Sequence, residues 1–334
     1  MHKSRCIRKP SVDSHHQQKE EGEIVRLEVK RGGDWEDAGQ INLIDGMASA
    51  TINSKAKELP IATQRLLGPE SSNKYKYRHS QDGVDENLLI FFHGAGDSHL
   101  PFHELGKRME LPQTATLSIS ASISMDMSHE KDSNNKIEKF VELPFGLGYT
   151  WYAEMDYSTG EKLPMDHPNR LKSLNHAVKL MDLLLSSLTG ISSERDNNAS
   201  DATWIPERIF LFGFSAGACL VMELCRMRFN AGRLPLGGAI CIAGGIQNQG
   251  ELQITQQNQP TNVLIITGSK DTAYPPDAAN LSKQLYHASK VHVHFQKGKG
   301  HSMIESKEEM RVIMEFLSKC LVRRMVSMEG QSSH

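Results

Sequence analysis

The chain has 334 residues, enough for one large α/β domain with appendages, and its formal charge of −2 gives no basic surface of the kind that nucleic-acid binding requires. Hydrophobic residues make up 38%, yet no apolar run approaches the ~18 residues of a spanning helix, so no integral membrane segment is expected. The five cysteines, Cys6, Cys219, Cys225, Cys241 and Cys320, are scattered without a C-x-x-C pair, which suits a reducing, cytoplasmic setting, and the basic N-terminus lacks the apolar stretch of a secretory signal.

Residues 1–22 are charged and rich in His and Gln, the composition of a disordered tail. Glu23 to Lys30 and Gln40 to Ile44 alternate apolar and polar residues on either side of a Gly-Gly turn, so an N-terminal extension over 23–86 is expected to carry a hairpin at the edge of the sheet. Asn87 to Phe92 is a continuous apolar run suited to a strand buried on both faces, and it ends in His93-Gly94-Ala95-Gly96-Asp97. Small residues after a buried strand let backbone N–H groups face a carbonyl oxygen as it gains negative charge, which makes the Ala95 N–H a candidate oxyanion donor. His93 sits at the strand end before the glycines and reads as a residue that shapes this loop rather than as a base.

Thr116 to Ser120 is the next strand, after which residues 121–168 break the core pattern. This insertion is rich in Ser, Met, Asn, Gly and Pro and gathers Tyr149, Trp151, Tyr152 and Tyr157. Long irregular insertions serve as lids or pocket walls, or run over the surface with their aromatics packed on the core, and the residues alone leave both open. On the first reading Trp151 and Tyr152 contact the apolar part of a substrate. Leu171, Leu174, Val178, Met181 and Leu185 recur at helical spacing and predict a covering helix, followed by a polar loop over 190–203.

Ile209 to Phe214 is an apolar strand that runs into Gly213-Phe214-Ser215-Ala216-Gly217 and then into an amphipathic helix. A serine hydroxyl is a poor nucleophile unless it is lifted clear of the chain beside a base, and a strained strand-to-helix turn does that. The pentapeptide alone recurs by chance, and a serine there can simply cap the helix. With the strand before it and the helix after it, Ser215 becomes a candidate nucleophile and the Ala216 N–H a second oxyanion donor.

Gly237 to Ile242 and Asn262 to Thr267 supply two more strands, and the second opens into Gly268-Ser269-Lys270-Asp271. Asp271 at that strand end is the candidate to orient an imidazole, with an Asx-turn that merely supports the loop as the bland alternative. Asp277 lies past a proline pair and reads as a charge in a helix's first turn. Val291 to Phe295 alternates like a strand and leads to Gly300-His301, making His301 the candidate base, and 305–323 forms a closing amphipathic helix. His292 and His294 share one face of that strand, but no cysteine or carboxylate stands at ligand spacing, so no metal is expected. Oxyanion loop, serine, aspartate, histidine is the chain order of α/β-hydrolases.

From Leu88 to about Leu317 the sequence resembles the phospholipase/carboxylesterase branch of the α/β-hydrolases, the group that includes the acyl-protein thioesterases. His93-Gly94-Ala95-Gly96-Asp97-Ser98 matches that group's H-G-x-G-D-[ST] loop, Gly213 to Gly217 its G-F-S-x-G, Gly268 to Asp271 its G-x-x-D, and Gly300-His301 its terminal G-H. Gly148-Tyr149-Thr150-Trp151-Tyr152 is similar to the family's segment ending in Ser-Trp-Phe-Asp, which borders the acyl pocket. Departures are Ala216-Gly217-Ala218 where the thioesterases carry Gln-Gly-Gly, Ala153 for their Asp, and Tyr274-Pro275 for their Val-Pro.

The resemblance implies an α/β-hydrolase fold over 87–325, a mostly parallel central sheet with helices on both faces, carrying the insertion 121–168. It implies a serine hydrolase acting on carboxylic esters or thioesters through an acyl-enzyme, with Ser215, His301 and Asp271 as its triad, no cofactor, and a small-molecule or acylated substrate. The alternative is a non-catalytic relative that uses the same pocket to bind a ligand.

Overall fold

The computed structural model describes residues 23–31, 34–44, 47–49, 56–126, 137–190, 204–247 and 259–323. The chain divides into two units, Met1–Asn53 with Val326–His334, and Ser54–Met325. In the first, Glu23–Arg31 and Asp34–Ile44 pair antiparallel, and Met47–Ser49 adds to the second of them. These strands make a three-stranded antiparallel sheet. The tail expected over 1–22 lies outside the described residues, as does nearly all of the loop expected over 190–203.

The second unit is built on seven strands: β1 (Tyr75–Arg78), β2 (Asn87–Phe92), β3 (Thr114–Ile119), β4 (Ile209–Phe214), β5 (Gly238–Ile242), β6 (Val263–Gly268) and β7 (Val291–Gln296). They lie in the order β7-β6-β5-β4-β2-β3-β1. Every neighbouring pair is parallel except β1, which runs antiparallel to β3 at the edge. Apolar runs suit such strands because both faces are covered: Leu88, Ile90 and Phe92 of β2 enter one core cluster, and Leu89 and Phe91 enter the other.

Six helices of this unit are α1 (Ile61–Leu67), α2 (Leu100–Met109), α3 (Pro168–Thr189), α4 (Ala216–Asn230), α5 (Pro276–Tyr286) and α6 (Lys307–Cys320). Phe102 and Met109 of α2, with Ile313, Phe316 and Leu317 of α6, cover the Leu89 and Phe91 face. Residues of α3, α4 and α5, including Leu174, Met181, Leu220 and Ala279, cover the other face. A mostly parallel sheet between two helical layers is the architecture expected from the sequence.

Within the extension expected over 23–86, α1 and the edge strand β1 belong to this unit, so the central sheet begins upstream of residue 87. The sequence hides that strand for a local reason: β1 is only four residues long, and its Lys76 and Arg78 sit half-buried at the sheet margin, giving too little apolar alternation to read. The insertion folds into three short antiparallel pairs, Ser124–Asp126 with Ile137–Lys139, Val141–Glu142 with Tyr149–Thr150, and Met155–Asp156 with Glu161–Lys162.

Candidate active site

Ser215 joins β4 to α4 with φ 51° and ψ −117°, a left-handed backbone that a side chain rarely adopts and that costs on the order of 1–3 kcal/mol. Neighbouring elements hold it there. The Ser215 N–H donates to the Ile242 carbonyl at the end of β5 at 2.9 Å, and the Ser215 carbonyl accepts the Cys219 N–H at 3.0 Å to open α4. Gly217 explains the glycine of the motif, since a Cβ there would stand 2.3 Å from the Phe92 carbonyl oxygen and 2.6 Å from that of His93. The first turn of α4 therefore sits directly on the end of β2, with the positive end of its dipole beside Ser215.

The turn presents the serine to a histidine carried by another loop. Ser215 Oγ is 2.8 Å from His301 Nε2, and His301 Nδ1 is 2.9 Å from Asp271 Oδ2 and 3.1 Å from Oδ1. A carboxylate only accepts, so Nδ1 carries the proton and Nε2 is left as the acceptor for the serine hydroxyl. Asp271 is buried, and its Oδ1 also accepts the Ala273 N–H at 2.9 Å and the Tyr274 N–H at 2.8 Å. His301 packs against Phe214 with ring centroids 5.7 Å apart and keeps one side open to solvent. Three residues separated by up to 86 positions thus form one hydrogen-bonded line from a buried carboxylate to an accessible hydroxyl.

The loop that follows β2 also comes close to Ser215. A Cβ on Gly94 would come within 3.5 Å of Ser215 Cβ, which places that loop against the serine. Among the described residues neither the Ala95 N–H nor the Ala216 N–H has a backbone acceptor outside the regular elements, and Ala95 is exposed while Ala216 is fully buried. His93 is buried below them: its Nε2 accepts the Ala121 N–H at 2.9 Å and its Nδ1 lies 2.6 Å from the Gly94 carbonyl oxygen. Burial pushes the His93 imidazole below its usual pKa, keeping it neutral.

Trp151 and Tyr152 are placed differently from the pocket wall that the sequence reading expected. Trp151 is 1% exposed, donates its indole N–H to the His93 carbonyl at 2.8 Å, and packs against Phe92, His93 and Phe140 with ring centroids 5.0–5.5 Å away. Tyr152 is 0% exposed, with its hydroxyl on Glu154 at 2.9 Å and its ring beside the Arg170 guanidinium. Both are core residues because an indole and a phenol each bury a large apolar body once the polar tip has a partner. The most open large apolar side chains described in this insertion are Phe145, 96% exposed, and Leu147, 63% exposed. They lie in the turn between Val141–Glu142 and Tyr149–Thr150, which rests on the loop that follows β2: the Gly96 N–H donates to Tyr149 O at 3.0 Å, and a Cβ on Gly96, at φ +75°, would be 3.1 Å from Leu147 O.

His292 and His294 remain apart from this site: His292 is exposed, and His294 Nε2 is 3.2 Å from Gln296 Oε1. Among the described residues no three His, Cys, Asp or Glu side chains come together as a metal would require, and no helix is long and apolar enough to cross a membrane.

Comparison with known proteins decides the family. A family model described as phospholipase/carboxylesterase matches residues 137–321, more than half of the chain, including Ser215, Asp271 and His301. The chain belongs to this family. An uncharacterized hydrolase of Mycosarcoma maydis is 27% identical over 278 residues, covering 81% of this chain and 91% of that protein. An uncharacterized hydrolase of Schizosaccharomyces pombe is 26% identical over 186 residues, 55% of this chain and 63% of that one. Among solved structures, an esterase named PE8 aligns with TM-score 0.57 at 19% identity, covering 74% of this chain and 99% of that one. Acyl-protein thioesterase 2 of Zea mays aligns with TM-score 0.52 at 17% identity, covering 75% and 99%. At these identities the solved structures establish the α/β-hydrolase fold of this member of the phospholipase/carboxylesterase family.

Proposed function

We propose that this family member is a serine esterase that cleaves carboxylic esters or thioesters of apolar acyl groups through an acyl-enzyme. The observation that carries the reading is the line Asp271, His301, Ser215 ending at a hydroxyl held on a strained turn. Ser215 Oγ attacks the acyl carbonyl carbon as His301 Nε2 takes its proton. Asp271 holds the imidazolium in place, and the Ala95 and Ala216 N–H groups receive the charge that moves onto the carbonyl oxygen. His301 then gives the proton to the departing alkoxide or thiolate. Water, deprotonated by the same nitrogen, releases the carboxylic acid and restores the Ser215 hydroxyl.

An apolar acyl group fits the surroundings because Phe145 and Leu147 stand exposed on the turn that rests against the oxyanion loop, where the carbonyl has to sit. Buried free thiols at Cys219, Cys225 and Cys241 suit a reducing, cytoplasmic setting. The decisive experiment treats purified protein with a fluorophosphonate and maps the label by peptide sequencing, alongside turnover of nitrophenyl esters of graded chain length. Label on Ser215 with turnover that rises with acyl length supports the reading. An unlabelled Ser215 and no turnover would leave a ligand-binding module instead.

A further inference from the structure

The histidine of the proposed triad rides on the loop between β7 and α6, and what fixes that loop is a buried ion pair outside the triad. Lys299 lies two residues before His301, yet its side chain is 1% exposed and its ammonium is 2.7 Å from Glu309 Oε1, on a carboxylate whose side chain is 0% exposed. The same ammonium donates to the Met303 carbonyl two residues after His301. Glu309 is itself tied to the chain: its Oε2 accepts the Glu305 and Ser306 N–H groups and the Ser306 hydroxyl, each at 3.0 Å, within the capping box that starts α6. The main chain of Lys299 faces the other way, its carbonyl accepting the Lys270 N–H at 2.9 Å next to Asp271. Contact there is tight, since a Cβ on Gly268 would stand 2.2 Å from Lys299 O and 2.8 Å from Gly300 O.

From this geometry we propose that Lys299 is a positioning residue, one that sets the His301 loop against the Asp271 loop and so holds the base in line with both Ser215 and its carboxylate. This rests on the proposed esterase reading of the same site. A loop lysine ordinarily keeps its ammonium in water. Here the charge is withdrawn from solvent and ties Met303 to Glu309, and its own peptide accepts from the acid loop, so one residue joins the loops that carry both halves of the proton relay. Misplacing a catalytic group by about 1 Å can lower turnover on the order of 100-fold without touching substrate binding.

Lys299→Met removes the ammonium and strands a buried carboxylate. A partner variant, Lys299→Met with Glu309→Gln, removes both charges while leaving an amide oxygen at that position to accept the cap hydrogen bonds. Both are assayed with a nitrophenyl ester beside wild type, Ser215→Ala, and Arg311→Ala, which breaks only exposed ion pairs of α6 with Glu308 and Glu315. The double variant is expected to recover most of the melting temperature lost by Lys299→Met yet keep kcat roughly 10- to 100-fold low with KM within about twofold, because Met303 still lacks its donor. Arg311→Ala keeps wild-type kcat. A double variant that regains wild-type kcat along with its melting temperature overturns the proposal and leaves Lys299 as a stability element. A Ser215→Ala protein with undiminished turnover overturns the esterase reading itself, a separate outcome.

Discussion

His93 Nε2 accepts the Ala121 N–H at 2.9 Å, and that bond fixes the tautomer of the ring. With Nε2 an acceptor, the proton is on Nδ1, which donates to the Gly94 carbonyl 2.6 Å away. A peptide unit has its C=O and N–H pointing in opposite directions, so holding the Gly94 oxygen on the His93 ring turns the Ala95 N–H away from that ring.

Replacing His93 therefore separates loop shape from chemistry. His93→Asn can place an amide N–H near the Nδ1 position and is expected to keep most of kcat. His93→Gln reaches only toward the Nε2 position and is expected to lose kcat by up to the roughly 100-fold that one oxyanion donor is worth. Steady-state kinetics on a nitrophenyl ester check this, with equal losses in the two variants counting against the tautomer argument.

Ser215→Ala, Asp271→Asn and His301→Gln are each expected to drop kcat severely while leaving the fold intact, since Ser215 and His301 are partly open and asparagine keeps the shape of the buried Asp271 and an oxygen for its backbone donors. The combined triple variant should be little worse than Ser215→Ala alone, because residues that pass one proton act as a unit. Additive losses in a thermally stable triple variant would contradict a shared relay.

How much of this was legible in the chain depends on where the constraint is local. Ser215 directly follows an apolar strand, Asp271 stands in the turn just past another, and His301 follows Gly300 in the loop after the alternating strand β7, so each could be read from its local pattern before the three were seen to meet. Trp151 and Tyr152 could not be placed, because an aromatic in an irregular insertion looks the same whether its ring faces a pocket or Phe92 and Phe140. Lys299 in Lys297-Gly298-Lys299-Gly300 looks like any loop lysine until Glu309 is folded back onto it. The edge strand β1 was hidden by its polarity, and only pairing with β3 reveals it.

The pH dependence of stability follows from three histidines near α2. Burial pushes the imidazoles of His93, His99 and His103 below their ordinary pKa, His99 down to about 4 with the neighbouring His93, Lys76 and His103 adding to the effect. Unfolded histidine titrates near about 6.5, so between that pH and about 4 the unfolded chain binds more protons than the folded one. Stability is thus fully present above about pH 6.5 and declines as pH falls toward 4. Both ring nitrogens of His99 lack a partner among the described residues, so His99→Phe should flatten the fall of melting temperature over this window. A wild-type melting temperature that rises on acidification from pH 6.5 to 4.5 would contradict this account.

The insertion yields the sharpest contrast, between a buried ring and an exposed one. Trp151→Ala should destabilise by about 3–5 kcal/mol, the range for emptying a large core site, and lower kcat/KM by the same factor for acetate and for long acyl esters, because the ring supports the His93 carbonyl from beneath and faces no solvent. Phe145→Ser, at a side chain 96% exposed, should leave the melting temperature almost unchanged. Its effect should appear only with chain length, lowering kcat/KM for long acyl esters relative to acetate by about 1–3 kcal/mol of differential binding. Denaturation curves and a nitrophenyl ester series on the two variants test both halves together. If Phe145→Ser lost activity equally on all esters, the turn that rests on Gly96 would act on the oxyanion loop rather than on the acyl chain, and the preference for apolar acyl groups would fall while the Ser215 relay stood.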